Sequence, residues 1–337
     1  MRCIACFSRI ALSIMLVGMQ VLPIPVIADA QKTTTFSGQA TVVRATVLGF
    51  TPVVLSDTGP LPSSGGAQQA SLLSASVPNL LSVSVLHATT VGQGDRSRSE
   101  ASVADLSLTV GGNSISADFL MSSAMAVCTS SGPATSGSSE LANLVINGQT
   151  IAVSGAPNQT VLLPAGGQVV INEQKSGGPG DITVNALHVS IPSVADVVIS
   201  SAHADVTCAG PSNCAINNEF VTGGGWITTA GDKANFGVGG GLKNGSLWGH
   251  LEYIDHGTGM KVHGTGVTAY SVTGPTSRRI EGTAEINGQP GFTYTVDVAD
   301  NGTPGRGVDT FSIQLSNGYS ASNKLGGGNI QLHKPCQ

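Results

Sequence analysis

The stretch DITVNALHVSIPSVADVVISSAHADVTC, residues 181–208, decides the fold class. Apolar and small polar residues alternate along it, and Ile-Pro-Ser separates two such runs. Successive side chains of a β-strand point to opposite faces of a sheet, so this period of two predicts two strands joined by a turn. Apolar residues also stand on the second face. This predicts either a sheet covered on both sides or a sandwich packed with small residues.

Similar alternating runs continue on both sides of this stretch, and the composition agrees with them. The 337 residues include 45 glycines, and only 10% are charged. Glycine suits tight turns between pleated strands, and Asn-Gly steps at 147–148, 287–288 and 317–318 are typical of hairpins. The Ser/Gly/Pro-rich residues 130–139 predict a turn. We therefore predict an all-β protein with two antiparallel domains, each a sandwich or barrel.

The N-terminus has the pattern of a secretory signal peptide. Two arginines precede an apolar run, and Ala-Asp-Ala at 28–30 forms a small-residue cleavage site. Beyond this site, the residue composition changes near residue 210, and both tryptophans occur after that point. We predict a signal peptide at 1–30, a β domain at 31–209 and a C-terminal β sandwich or barrel at 210–337. No transmembrane segment is expected after cleavage.

Four cysteines follow the predicted signal peptide: Cys128, Cys208, Cys214 and Cys336. An even number in an exported chain predicts disulfides, although spacing alone permits three pairings. We favour Cys128 with Cys208 and Cys214 with Cys336, so that each bridge closes its own domain. The chief rival pairs Cys208 with Cys214. The formal net charge of −5 and the lack of a basic patch predict no nucleic-acid partner.

The stretch HLEYIDHGTGMKVHG, residues 250–264, is the first candidate for a functional site. If Gly257 and Thr258 are the central residues of its turn, Glu252 pairs with His263. His250 then lies diagonally on the same face. Two imidazoles and a carboxylate could hold zinc with an open position for water.

A structural interpretation of the same hairpin is favoured over the zinc site. It makes Leu251, Tyr253 and Val262 the core face and leaves His250, Glu252 and His263 as a solvated cross-strand cluster.

Residues 297–309, DVADNGTPGRGVD, are the second candidate. Oxygen-rich loops bent by glycine supply the six to eight ligands of Ca²⁺. The calcium-type ligands are Asp297, Asp300, Asn301 and Asp309. Their spacing differs from that of an EF-hand, and an ordinary hairpin loop explains the same residues. The sequence leaves the cofactor undecided between zinc, calcium and none.

Several segments resemble the choice-of-anchor P family of exported bacterial proteins. They include residues 41–67 (TVVRATVLGFTPVVLSDTGPLPSSGGA), 138–174 and the opening stretch 181–208. FVTGGGWI at 220–227 and GHLEYIDHGTGMKVHG at 249–264 are similar to the module that often follows that domain. The resemblance implies a location outside the cell and brings no catalytic residues. The chain ends in HKPCQ without a sorting signal, so release or non-covalent retention is expected.

We therefore expect a secreted or cell-surface structural or interaction protein, adhesive or matrix-like, whose partner is an extracellular protein or glycan. Common enzyme signatures such as G-x-S-x-G and H-E-x-x-H do not occur. The enzyme question stays open, with a non-enzymatic role favoured. The alternatives are a metal-dependent hydrolase of extracellular polymers and a calcium-dependent carbohydrate-binding module that uses Trp226 or Trp248.

Overall fold

A computed structural model provides the fold. It describes residues 33–164, 166–209, 219–243 and 245–334, which belong to one compact unit. The predicted signal peptide, Cys214 and Cys336 lie outside the described residues. All regular elements of the described part are β-strands, and every strand pair is antiparallel. The all-β, antiparallel prediction is confirmed, while the domain boundaries at 30 and 209 stay predictions.

Thirteen strands precede residue 210 and nine follow it. The first group is β1 (Thr35–Val47), β2 (Val53–Asp57), β3 (Gly66–Val77), β4 (Leu81–Gln93), β5 (Arg96–Val110), β6 (Asn113–Thr129), β7 (Gly132–Ala142), β8 (Val145–Ile146), β9 (Gln149–Thr150), β10 (Gln159–Leu162), β11 (Gln168–Gly178), β12 (Asp181–Ile191) and β13 (Ala195–Thr207). The second group is β14 (Phe220–Thr229), β15 (Asp232–Lys243), β16 (Ser246–Asp255), β17 (Met260–Val272), β18 (Ser277–Ile286), β19 (Gln289–Ala299), β20 (Thr310–Leu315), β21 (Ser320–Lys324) and β22 (Gly327–His333).

These strands form three sheets. A six-stranded sheet has the order β10-β11-β12-β13-β1-β2. A seven-stranded sheet has the order β3-β4-β5-β6-β8-β9, with β7 also paired to β6. The nine-stranded sheet has the order β21-β20-β19-β18-β17-β16-β15-β14-β22 and contains only strands that follow residue 210.

Two hydrophobic cores follow from this arrangement. The larger one lies between the six- and seven-stranded sheets and includes Val103 and Ile199, both fully buried. The other is made only of residues from the nine-stranded sheet and its loops, with Phe236 and Phe311 stacked at 4.0 Å between ring centroids. Because β12 contributes apolar side chains to clusters on both of its faces, the prediction of a sheet covered on both sides holds for residues 181–191.

The disulfide Cys128–Cys208 braces the first two sheets. Cys128 lies near the end of β6, and Cys208 directly follows β13. The bridge spans 80 residues of sequence. This is the favoured pairing, and it rules out the rival bond from Cys208 to Cys214 because Cys208 is already bonded.

The turn predictions have mixed outcomes. Asn147-Gly148 and Asn287-Gly288 are two-residue hairpin turns in which all four φ angles are positive, between 51° and 77°. The turn predicted over 130–139 is wrong for most of its length, because β7 begins at Gly132 and pairs with β6. Small residues suit this strand. A Cβ on Gly137 would stand 2.4 Å from a methyl group of Val184, so β12 packs directly on its backbone.

In the described part of the chain, no helix is long and apolar enough to cross a membrane.

Candidate functional site

The hairpin over residues 250–264 has the predicted register. Strands β16 and β17 pair Glu252 with His263 and Tyr253 with Val262. Leu251, Tyr253 and Val262 are fully buried in the core of the nine-stranded sheet, as the structural interpretation of this hairpin predicts. The local pattern of alternating residues was therefore sufficient to assign the faces of this hairpin.

The opposite face of the hairpin is not solvated, contrary to the prediction. Of the three residues of the predicted cluster, Glu252 is 1% exposed and His250 is 9% exposed, and only His263 remains well exposed. The cause is that this face of the nine-stranded sheet packs against β3 and β4 of the seven-stranded sheet, where Ser71 contacts Glu252 and His87 contacts His250. A solvated cluster was expected because the sequence does not show which second sheet covers a polar face.

Glycines in β14 and β15 allow the two sheets to approach closely. A Cβ on Gly224 would lie 2.3 Å from Ser102 Oγ, and one on Gly237 would lie 2.9 Å from His87 Cβ. Such distances leave no room for a methyl group, so the glycine backbone contacts the polar side chains of the other sheet directly. In the run GGG at 239–241, a Cβ on Gly239 would lie 2.9 Å from Gln69 Oε1 of the same second sheet. Both GGG runs, at 223–225 and 239–241, therefore have a packing role in addition to their turn-forming capacity.

A pair of buried histidines connects the two sheets. His87 Nδ1 on β4 and His250 Nε2 on β16 lie 2.9 Å apart, so one nitrogen donates a hydrogen bond to the other. Burial lowers the pKa of His250 to about 4, and the nearby His263 adds to this shift. Burial, with a smaller effect from His250, also holds the pKa of His87 well below its usual value. Both rings are therefore neutral at pH 7.

Glu252 and His263 form a separate contact at the edge of this interface. The Nδ1 atom of His263 lies 3.1 and 3.0 Å from the two carboxylate oxygens of Glu252, and the Ser71 hydroxyl donates to that carboxylate over 3.3 Å. Burial raises the pKa of Glu252, whereas hydrogen bonding to His263 opposes this shift. The predicted trio is thus divided, because His250 contacts His87 instead.

Over the described ranges, no group of three or more His, Cys, Asp or Glu side chains is arranged to hold a metal ion. The zinc and calcium sites stay predictions, and the contacts of their individual residues follow from the geometry.

The residues of the proposed calcium loop make other contacts. The Asp309 carboxylate is fully buried and accepts hydrogen bonds from the backbone N–H groups of Asn301, Gly302 and Ile330. Asp300 accepts from the N–H of Leu332, and the exposed Asp297 pairs with Arg279. The Asn301 side chain bonds Val308 and Thr276. These oxygens hold the loop against β18 and β22.

Both candidate aromatic platforms are partly occupied. Trp226 and Trp248 are half-buried. The ammonium group of Lys233 lies 4.9 Å from the ring centroid of Trp226, and that of Lys243 lies 5.6 Å from the ring centroid of Trp248. Trp248 also meets the ring of Phe220 edge to face. Stacking of a sugar on these rings would first require the lysines to move.

A cavity that sequence reasoning missed lies where β5, β6 and β7 meet β22 and the loop at 303–306. We call it the inter-sheet cavity; it measures about 280 Å³. On one wall, Arg98 pairs with Glu100 at 2.6 Å, and the same Glu100 oxygen accepts from Asn329 Nδ2 over 3.2 Å. Arg98 is mostly buried, and Glu100 and Asn329 are 4% and 3% exposed.

A second pair of opposite charges, Glu140 and Arg306, also lines the inter-sheet cavity. Glu140 Oε2 accepts the backbone N–H of Gly328 over 2.9 Å, and Glu140 Oε1 lies 3.7 Å from Arg306 Nη1. Burial raises the pKa of Glu140. Met121 and Pro304 supply apolar surface. Residues 100 and 329 are far apart in sequence and their strands look ordinary, so no sequence signal marks this site.

Comparisons with known proteins add little to the geometry. No protein-family model matches the chain, and no curated protein matches it. A solved structure described as "a putative AttH" from Nitrosomonas europaea covers 90% of this chain and 93% of its own, at 8% identity and a TM-score of 0.20. A likeness at that TM-score supports no conclusion about fold or function.

Proposed function

We propose that the protein is exported and acts outside the cytoplasm as a structural or interaction protein, adhesive or matrix-like, rather than as an enzyme. One observation carries the proposal. The side chains predicted to do chemistry, His250 and Glu252, are buried and hydrogen-bonded to other side chains of the same chain. A catalytic base must come within hydrogen-bond reach of its substrate, whereas these groups hold two sheets together.

Three further features support export. The first 30 residues have the order of a signal peptide, although they lie outside the described residues. The Cys128–Cys208 bridge is of a kind that persists in oxidising compartments. The resemblance to the choice-of-anchor P family, which remains part of the proposal, implies the same location.

The test is cell fractionation combined with an attachment assay in the native host. We expect the mature protein, starting after residue 30, in the medium or on the cell surface. Deletion of the gene should reduce attachment of cells to a surface or matrix, and purified protein added from outside should restore it. Cytosolic protein that keeps residues 1–30 and has reduced Cys128 and Cys208 would contradict the proposal.

The hydrolase alternative is distinguished by metal analysis. Elemental mass spectrometry of the purified protein after dialysis would detect one equivalent of zinc if Glu252 and His263 formed a metal site. Loss of that zinc in His263→Ala, with retention in the matched variant His203→Ala on β13, would favour the hydrolase. Under the present proposal, we expect both variants and the wild type to give the same substoichiometric value.

A further inference from the structure

The inter-sheet cavity has the chemistry of a binding site for a neutral sugar. We propose that it accepts a single pyranose residue at the end of a neutral glycan. This inference rests on the proposed function in one respect, namely that the protein meets glycans outside the cell. Everything else in it follows from the walls of the cavity.

The charges of the cavity are balanced. Arg98 is paired with Glu100, and Arg306 is paired with Glu140. A ligand that carried net charge would meet a group of like charge in each of these pairs, so the electrostatics favour a neutral ligand. The two carboxylates accept hydrogen bonds and the two guanidinium groups donate them. A ligand with several groups that both donate and accept, such as the hydroxyls of a sugar, satisfies both pairs.

Hydrogen bonds within the protein hold part of the polar lining of the cavity in place. Glu100 Oε1 accepts from Asn329 Nδ2 over 3.2 Å and from the Ser123 hydroxyl over 3.3 Å, and Ser123 and Asn329 both line the cavity. A ligand therefore meets side chains whose positions are already set, so ordering them adds little to the cost of binding.

Size and apolar surface agree with a single ring. The volume of about 280 Å³ is at the small end of the range for small-molecule sites. Met121 and Pro304 offer apolar contacts for the C–H groups of a ring. Arg306 and Ser138 line the cavity and are exposed to solvent, so the site opens towards them. A terminal residue could enter there while the rest of the glycan stays outside.

Calorimetric titration of the full mature protein tests the inference. The probes are the methyl glycosides of D-glucose, D-galactose and D-mannose, N-acetyl-D-glucosamine, and D-glucuronate as a sugar of similar size that carries a net charge. We expect at least one neutral sugar to bind with millimolar affinity or better and D-glucuronate not to bind. Arg306→Ala removes a charged donor at the mouth and should weaken sugar binding about tenfold.

Ser138→Phe places a ring at the mouth of the cavity and should abolish binding. Ser136→Phe is the matched control, since residue 136 is exposed on the same face of β7 but does not line the cavity. It should bind sugar like the wild type. Thermal melting of both variants checks that they are folded.

Binding of D-glucuronate in place of the neutral sugars, binding of no probe, or equal sugar binding by Ser138→Phe would each overturn the inference. The attachment assay separates this result from the proposed function. If attachment is restored by the wild type but no sugar binds, the sugar site is wrong and the extracellular role stands. If sugar binds but gene deletion leaves attachment unchanged, the site stands and the adhesive role is wrong.

Discussion

Acid should destabilise the protein through the buried pair His87 and His250. Both rings have a pKa in the folded state below the ordinary value of about 6.5. Below that pH the unfolded chain binds more protons than the folded one. The free energy of unfolding therefore loses nothing from these rings above about pH 6.5 and decreases as the pH falls below it. For His250 the decrease ends at about pH 4.

The size of the effect follows from the distance in pH. About pH 5 is roughly 1.5 units below the ordinary histidine pKa, so protonation stabilises an unfolded histidine by about 2 kcal/mol. A histidine that stays buried and neutral in the folded state gains none of this. The pair together loses about 4 kcal/mol between about pH 7.5 and pH 5. Glu252 has the opposite effect, because its raised pKa means that the folded state takes up its proton first. A comparison of variants removes that contribution.

Urea unfolding followed by tryptophan fluorescence at both pH values measures this loss. In His250→Gln an uncharged amide occupies the position of Nε2, and we expect its acid-induced loss to be about 2 kcal/mol smaller than in the wild type. Val238→Ala is the control: it shortens a fully buried core side chain without a titrating group, so it should lower stability equally at both pH values. If wild type and His250→Gln lose the same free energy, the histidines are not kept neutral and the reasoning is wrong.

Three further outcomes are expected. Gly224→Ala should lower the free energy of unfolding, measured in urea, by about 2 kcal/mol, because its methyl group would overlap Ser102. Gly266→Ala is the control: the nearest atom to its methyl group is 3.7 Å away, so the free energy should change by no more than about 0.5 kcal/mol. Replacing Cys128 and Cys208 together by serine should lower the free energy of unfolding by up to about 4.5 kcal/mol, since the bridge closes a long loop of the unfolded chain; an unchanged urea midpoint would contradict this. Asp309→Ala should lower stability by about 3 kcal/mol, because three backbone donors lose their acceptor, and calcium should raise the melting temperature of neither form.

Local patterns predicted a large part of the fold. The period of two over 181–208 identified β12 and β13, and two Asn-Gly steps identified tight hairpins. The register of the hairpin at 250–264 followed from its turn residues and its alternating apolar face. These features depend on neighbours in the sequence, since a strand and its turn restrict each other's geometry directly.

Small residues were the main source of error at the level of strands. Residues 132–139 have the serine and glycine content of a turn, yet they belong to β7. Propensity was overridden here by the packing of β12 on Gly137, where a larger side chain would not fit. A strand of this kind is visible only when the element that covers it is known.

The sequence by itself determined the all-β class and the alternation of side chains between the two faces of the hairpin at 250–264. It favoured the pairing of Cys128 with Cys208 but left three pairings open, and the structure decided between them. Only the tertiary structure decided what each polar face contacts. It joined His250 to His87, 163 residues away, and brought Asn329 to Glu100 at the inter-sheet cavity. The physical reason is that side-chain alternation specifies the direction in which a residue points, whereas its partner depends on which sheets pack together and how closely their glycines allow them to approach.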